Sequence, residues 1–197
     1  MKKKLYSTAA MTLVAGLLLA GCGNEKEKDA AKDESGKDTF NIGVTQIVQH
    51  DSLDQAYEGF QAALKDSDIN AKYDLQIAQG DQNNSQTIAN NFVGDKVDLI
   101  FANSTPSALS ALNATKDIPI VFTSVTDPVA GELVTSLEKP GGNVTGTTDS
   151  HPEAIAKSMK FLAEELGAKT IGTVYNTGEQ NSVVQIKIGR ASCRERV

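Results

Sequence analysis

Two polar clusters could do chemistry, because each closes a short apolar run. Asn103-Ser104-Thr105-Pro106 follows Val97–Ala102, and Thr123-Ser124-Val125-Thr126-Asp127-Pro128 follows Ile118–Phe122. Hydroxyls and amides both donate and accept hydrogen bonds, whereas an ionised carboxylate only accepts. Ser104 or Thr105 suits a helix N-cap and Pro106 the first helical position, so free backbone N–H groups would point past the strand end. Such an end attracts a carboxylate or another anion. An ordinary strand–cap–helix turn without a ligand is the alternative. Ser104 or Ser124 as a nucleophile would need a base, and the two histidines, His50 and His151, form no triad-like order. His50 alone reads as a solvated loop residue or a cleft contact. No cysteine–histidine spacing suggests a metal.

The elements that must position these clusters alternate along the chain. Phe40–Ile47 reads as a strand, and Asp51 or Ser52 caps a helix over Leu53–Asp66, whose Leu53, Ala56, Tyr57, Phe60, Ala63 and Leu64 share one face. Tyr73–Gln79 alternates as a second strand. Gly80–Ser85 reads as a turn and Gln86–Val93 as a helix. The two runs that end in the polar clusters carry no polar alternation, as strands buried on both faces of a parallel sheet require. Strand, helix, strand, helix, strand, helix, strand predicts an α/β, doubly wound sheet whose ligands sit at the strands' carboxyl ends. Pro140–Gly146 lacks the dinucleotide-binding glycine spacing and reads as a turn into an extended segment. No P-loop is present and no cofactor is expected.

The amino end has a different logic. Lys2-Lys3-Lys4, an apolar run to Ala20, and Leu19-Ala20-Gly21-Cys22 together form a secretory leader, with the run too short and too interrupted for a comfortable membrane span. Its end resembles the lipobox of bacterial lipoproteins, which implies lipidation of Cys22 after removal of residues 1–21. Residues 22–39 alternate charges without large apolar side chains and are expected to be a disordered tether. Without the three leader lysines and the last nine residues, 13 lysines face 24 acids, a balance of about −11. That argues against nucleic acid and against adhesion to an anionic membrane by charge, leaving the lipid as the membrane contact. All three arginines, Arg190, Arg194 and Arg196, lie in the last residues, and 188–197 resembles the translation of a sequencing-adapter read-through. The expectation is a non-native tail on a protein that otherwise continues beyond about Gln185.

After Gly146 a second unit is expected. Glu153–Leu166 reads as a helix ending at Gly167, Thr170–Tyr175 as a strand, and Asn176–Ser182 as a loop entering another helix. Ile171-Gly172 echoes Ile42-Gly43, which suggests two similar Rossmann-like halves, 40–148 and the start of another over 149–187. The set Ile42-Gly-Val-Thr-Gln-Ile, Ala78-Gln-Gly-Asp-Gln, Phe92-Val-Gly-Asp-Lys-Val-Asp-Leu-Ile, Ser104-Thr-Pro-Ser-Ala, Ile118–Pro128 and Pro140-Gly-Gly-Asn-Val-Thr-Gly resembles the tryptophan/aromatic amino-acid family of ABC-transporter substrate-binding proteins. Thr170-Ile-Gly-Thr-Val-Tyr-Asn and Gln180-Asn-Ser extend it.

The resemblance implies a type I periplasmic-binding-protein fold, with two α/β lobes closing on a small amino-acid-like ligand. It also implies an extracytoplasmic location, a membrane permease with its ATPase as partners, and no enzymatic activity. The ligand's carboxylate would meet Ser104, Thr105, Thr123 and Ser124. Its ammonium would meet Asp149, or else Asp127, which could equally be a turn carboxylate before Pro128. The resemblance adds Gln46, His50, Tyr175, Asn176, Glu179 and Asn181 as contacts on cleft-facing loops. A sensor or adhesin that reports ligand to a partner is the alternative of another class.

Overall fold

A computed structural model describes residues 38–151 and 153–194. The β-branched and aromatic runs pair into one sheet, because strands without polar alternation need cover on both faces. Its strands are β1 (Thr39–Gln46), β2 (Asn70–Ile77), β3 (Leu99–Asn103), β4 (Ile120–Val125) and β5 (Val144–Thr148). All are parallel, in the order β2-β1-β3-β4-β5. Chain order reverses between β1 and β3, so their exit loops diverge there. That is the switch point at which doubly wound sheets open a crevice.

Three helices cover the sheet: α1 (Asp51–Asp66), α2 (Gln82–Gly94) and α3 (Thr105–Ala114). On one face Phe92, Ile100, Ala102, Ala108, Ala111, Ile120, Phe122 and Val144 form the larger core. Phe92 packs on Gly43, the one residue of β1 where a Cβ would lie 2.6 Å from the ring. On the other face Ile42, Val44 and Phe101 meet Tyr57, Phe60, Leu64 and Tyr73 of α1 and β2. Phe60 stacks on Phe101 with ring centroids 4.1 Å apart, and Tyr57 meets Tyr73 edge-on at 5.9 Å.

Local chemistry moves several expected boundaries. His50, not Asp51 or Ser52, is the N-cap of α1, because its Nδ1 accepts the Ser52 backbone N–H at 3.2 Å. The expected turn over Gly80–Ser85 becomes the start of α2: Asp81 accepts the backbone N–H groups of Asn83 and Asn84 and starts the helix four residues early. Tyr73–Gln79 forms a strand that begins earlier, at Asn70, where β2 follows β1 in register from Thr39.

Beyond β5 the chain forms α4 (Ala154–Glu164) and α5 (Gln180–Arg194), which pack on each other. The expected strand over Thr170–Tyr175 is not a strand in the described residues. A strand exists only through ladder partners, and no second sheet is present among those residues, so the segment is extended loop with Val174 fully exposed. The echo of Ile42-Gly43 therefore has no structural counterpart here: Gly43 is required by Phe92, whereas nothing lies within 4 Å of a Cβ at Gly172. A cavity of 680 Å³ between α4, the 171–175 segment and α5 is lined by Ile155, Met159, Ile186, Tyr175 and Gln185, the last of which reaches Thr126 just beyond β4. No helix among the described residues is long and apolar enough to cross a membrane. Cys22 and the expected tether as far as Lys37 lie outside the described residues, and the tether's expected end at Thr39 is corrected, because Thr39 opens β1 by pairing with Asn70.

Candidate functional site

The carboxyl tips of β1, β3 and β4 converge at the switch point. At the tip of β3 the chain turns into α3 through Ser104, the N-cap, whose side chain accepts no hydrogen bond from the helix's first turn. Ser104 has φ 114° and ψ 161°, a region almost reserved for glycine that costs about 1–3 kcal/mol for another residue. The surroundings hold it there. Its N–H donates to Thr123 O at 3.0 Å, its carbonyl accepts Ala108 N–H at 3.0 Å, and its Oγ lies 3.3 Å from Ser107 Oγ. Pro106 in the first turn contributes no N–H, and the remaining first-turn N–H groups receive no side-chain cap, so the amino end of α3 carries uncapped backbone donors and a partial positive charge.

The neighbouring hydroxyls make two separate contacts near the tips. Thr105 Oγ1 accepts Thr126 N–H at 3.3 Å, and Thr123 Oγ1 lies 3.1 Å from Thr147 Oγ1 on β5. Ser124 adopts φ 53°, again left-handed, at the irregularity between Phe122 and Val125 in the β4–β5 ladder. Strain at two serines on adjacent strand tips is the pattern expected where backbone geometry serves a site.

The predicted contacts divide into those the structure groups and those it separates. Ser104, Thr105, Thr123 and Ser124 lie together at the tips of β3 and β4, with Ser104 and Thr105 buried and Thr123 and Ser124 half-buried. Asp127 is half-buried, and its Oδ1 accepts the Val129 and Ala130 N–H groups at 3.1 and 2.9 Å, the turn role considered from its position before Pro128. Asp149 lies just past β5 with its side chain exposed and its N–H bonded to Val125 O. His50 is exposed and engaged with Ser52. Gln46 is elsewhere: it is 0% exposed beneath the tips, with both ends of its amide bonded inside the protein.

Tyr175, Asn176, Glu179 and Asn181 lie on the segment that leads into and begins α5. Asn176 Nδ2 donates to Glu179 Oε1 at 3.0 Å, which shapes the turn that enters α5. Asn181 Oδ1 is a buried acceptor without a partner. This segment docks on the strand tips through three glutamine amides that were not among the expected contacts, although Gln82 and Gln180 lie in the motifs that carry the resemblance. Gln82 donates to Gly178 O at 2.7 Å, Gln180 to Ala130 O at 2.9 Å, and Gln185 reaches Thr126 Oγ1 at 3.4 Å. Thr126 was also missed, although it joins α3, through Thr105, to α5, through Gln185. No group of three or more His, Cys, Asp or Glu could hold a metal among the described residues.

Comparison with known proteins decides the family. A model of the ABC transporter substrate-binding protein family matches residues 41–195. The chain belongs to that family. It is 46% identical over 192 residues to a tyrosine-binding protein of Clostridioides difficile (strain R20291), covering 93% of this chain and 55% of that protein. Two solved structures place it among type I periplasmic binding proteins. One is an ABC domain in complex with L-Trp from Streptococcus pneumonia, 35% identical, with a TM-score of 0.74 over 80% of this chain and 54% of that one. The other is the ligand-free, open structure of a Clostridium difficile substrate-binding protein with adhesive properties, 47% identical, with a TM-score of 0.61 over 79% and 54%. The chain thus spans about half the length of the relatives it matches. It superposes better on the tryptophan complex than on the open protein, although the open protein is the nearer in sequence.

Proposed function

We propose that this protein captures a free aromatic amino acid, tyrosine or tryptophan, at the tips of β1, β3 and β4 and hands it to an ABC permease with its ATPase. The observation that carries the reading is the uncapped amino end of α3, held at a strained Ser104 and ringed by Thr105, Thr123 and Ser124. Backbone N–H groups and hydroxyls without a nearby base suit a carboxylate that is bound and not attacked. Two relatives support the reading: one is a tyrosine-binding protein and another is a complex with L-Trp.

The ligand's ammonium pairs with Asp149, whose carboxylate is exposed beside the tips, and Asp127 is second because its Oδ1 already serves a turn. Tyr175, Asn176, Glu179 and Asn181 approach from the opposite side. A ligand that touches both sides only when they are docked favours the docked arrangement by that difference in contacts. Lipidation of Cys22 holds the protein on the extracytoplasmic face of the membrane. No catalytic step is part of this reading.

Calorimetry of the full chain against L-tyrosine, L-tryptophan, L-leucine and glucose tests it. Saturable binding of an aromatic amino acid, weakened about tenfold or more by Asp149→Asn, is expected from loss of a charge-assisted pair. Binding of none of the amino acids, or turnover of any of them, contradicts it.

A further inference from the structure

Gln46 and Asn103 are register partners, the last pair of the β1–β3 ladder at the switch point, and both are 0% exposed. Their side chains lie on the α1 face of the sheet, the face of Val44 and Phe101. Asn103 Nδ2 donates to Gln46 Oε1 at 3.1 Å and to Leu53 O in the first turn of α1 at 2.7 Å. Gln46 Nε2 donates to Val48 O at 2.9 Å and to Asp54 Oδ1 at 2.8 Å. Two buried amides thus tie together the end of β1, its exit loop, the start of α1 and the residue immediately before Ser104.

The pair is a poor choice for stability. Asn103 Oδ1 is buried with no hydrogen-bond partner, and an unsatisfied buried acceptor is destabilising, whereas two apolar side chains of similar volume would leave none. What an amide pair provides and an apolar pair does not is direction: each bond has a preferred length and angle, so the loops it joins take one relative placement. Asn103 carries the cue from β1 and α1 to the strained turn at Ser104, the turn that presents the amino end of α3.

We propose that Gln46 and Asn103 are positioning residues of the ligand site: from beneath, they set the Ile47–His50 loop against the Ser104–Thr105 cap. The inference rests on the proposed binding of an aromatic amino acid and deepens it. It also gives Gln46 a role without ligand contact.

The test is the double variant Gln46→Met/Asn103→Leu, with Ser85→Ala as the control because Ser85 is a fully buried, unpartnered hydroxyl on α2. The double variant is expected to keep or raise Tm, yet to weaken calorimetric affinity for L-tyrosine or L-tryptophan about tenfold or more, the scale of a lost set of fixed contacts. Hydrogen exchange in Ile47–Leu53 is expected to speed up. A purely structural pair would instead lower Tm and leave the affinity of the folded protein unchanged, which overturns the proposal. If the double variant does not fold, Asp54→Ala removes one acceptor of the relay from a half-buried helix turn. It should weaken binding several-fold and speed the same exchange, with Asp54→Asn restoring both. Should the unaltered protein bind no amino acid, the functional reading fails separately, and unchanged exchange at Ile47–Leu53 in the variants still refutes the relay.

Discussion

Gly43→Ala probes how tightly the sheet beneath the site is packed. The added Cβ would stand 2.6, 2.7 and 2.9 Å from Phe92 Cγ, Cδ2 and Cδ1, where carbon contacts normally settle at about 3.5–4.0 Å. Phe92 is 1% exposed in the core beneath α2, so its ring cannot swing into solvent. Relief requires α2 to move away from β1 by roughly 1 Å, opening contacts along the helix. Overpacking of this kind costs about 1–3 kcal/mol, from which the stiffer unfolded chain of alanine returns about 0.4–1. A net loss of about 1 kcal/mol lowers Tm by roughly 2–4 °C for a domain of this size. The decisive assay is a double-mutant cycle by chemical denaturation with Phe92→Ala. Phe92→Ala alone should cost about 3–5 kcal/mol, and Gly43→Ala added to it should cost nothing, because the new methyl enters the space the ring left. If the two losses add within about 0.5 kcal/mol, the clash does not exist and the packing account is wrong.

Three further outcomes follow from the same geometry. Gln82→Ala with Gln180→Ala removes two bonds that hold the α5 segment on the strand tips, each worth about 0.5–1.5 kcal/mol at most where exposed. Small-angle scattering should show a larger radius without ligand, and apparent affinity should fall about three- to tenfold. Tyr57 and Tyr73 have pKa values raised from 10.0, first by burial of the phenol and, for Tyr57, also by the neighbouring Tyr73. The folded state therefore holds these protons longer than the unfolded state. Stability is fully present below pH 10 and declines as pH rises through the folded values, and an ultraviolet phenolate titration should show two of the four tyrosines ionising late. Cys22→Ala should yield protein that leaves the membrane fraction in salt-free buffer, whereas persistent membrane association in fractionated cells counts against lipidation.

The sheet and the α3 cap were legible in the sequence because both rest on local chemistry. Unalternated apolar runs allow little except strands covered on both faces, and a hydroxyl before proline marks a helix entrance wherever it sits. Gln46 shows where that reasoning stops. A polar residue at a strand end reads as a cleft contact until the register sets it against Asn103, 57 residues away, with α1 closing over both. The start of α2 was obscured because Asp81, Asn83 and Asn84 have the composition of a turn, and only the Asp81 side-chain bonds reveal a capped helix. His50 as the cap of α1 depends on a ring tautomer that residue type does not announce. The segment at Thr170–Tyr175 has a strand's composition without a strand's partners, and composition does not supply a ladder.

A crystal structure of the full chain grown with L-tyrosine or L-tryptophan tests the central claim most directly. The account predicts the carboxylate within hydrogen-bonding distance of the Ser104–Ser107 turn and the hydroxyls of Thr105, Thr123 or Ser124, with the ammonium facing Asp149. Density for the amino acid in the cavity between α4 and α5, or a carboxylate turned away from the amino end of α3, would contradict it.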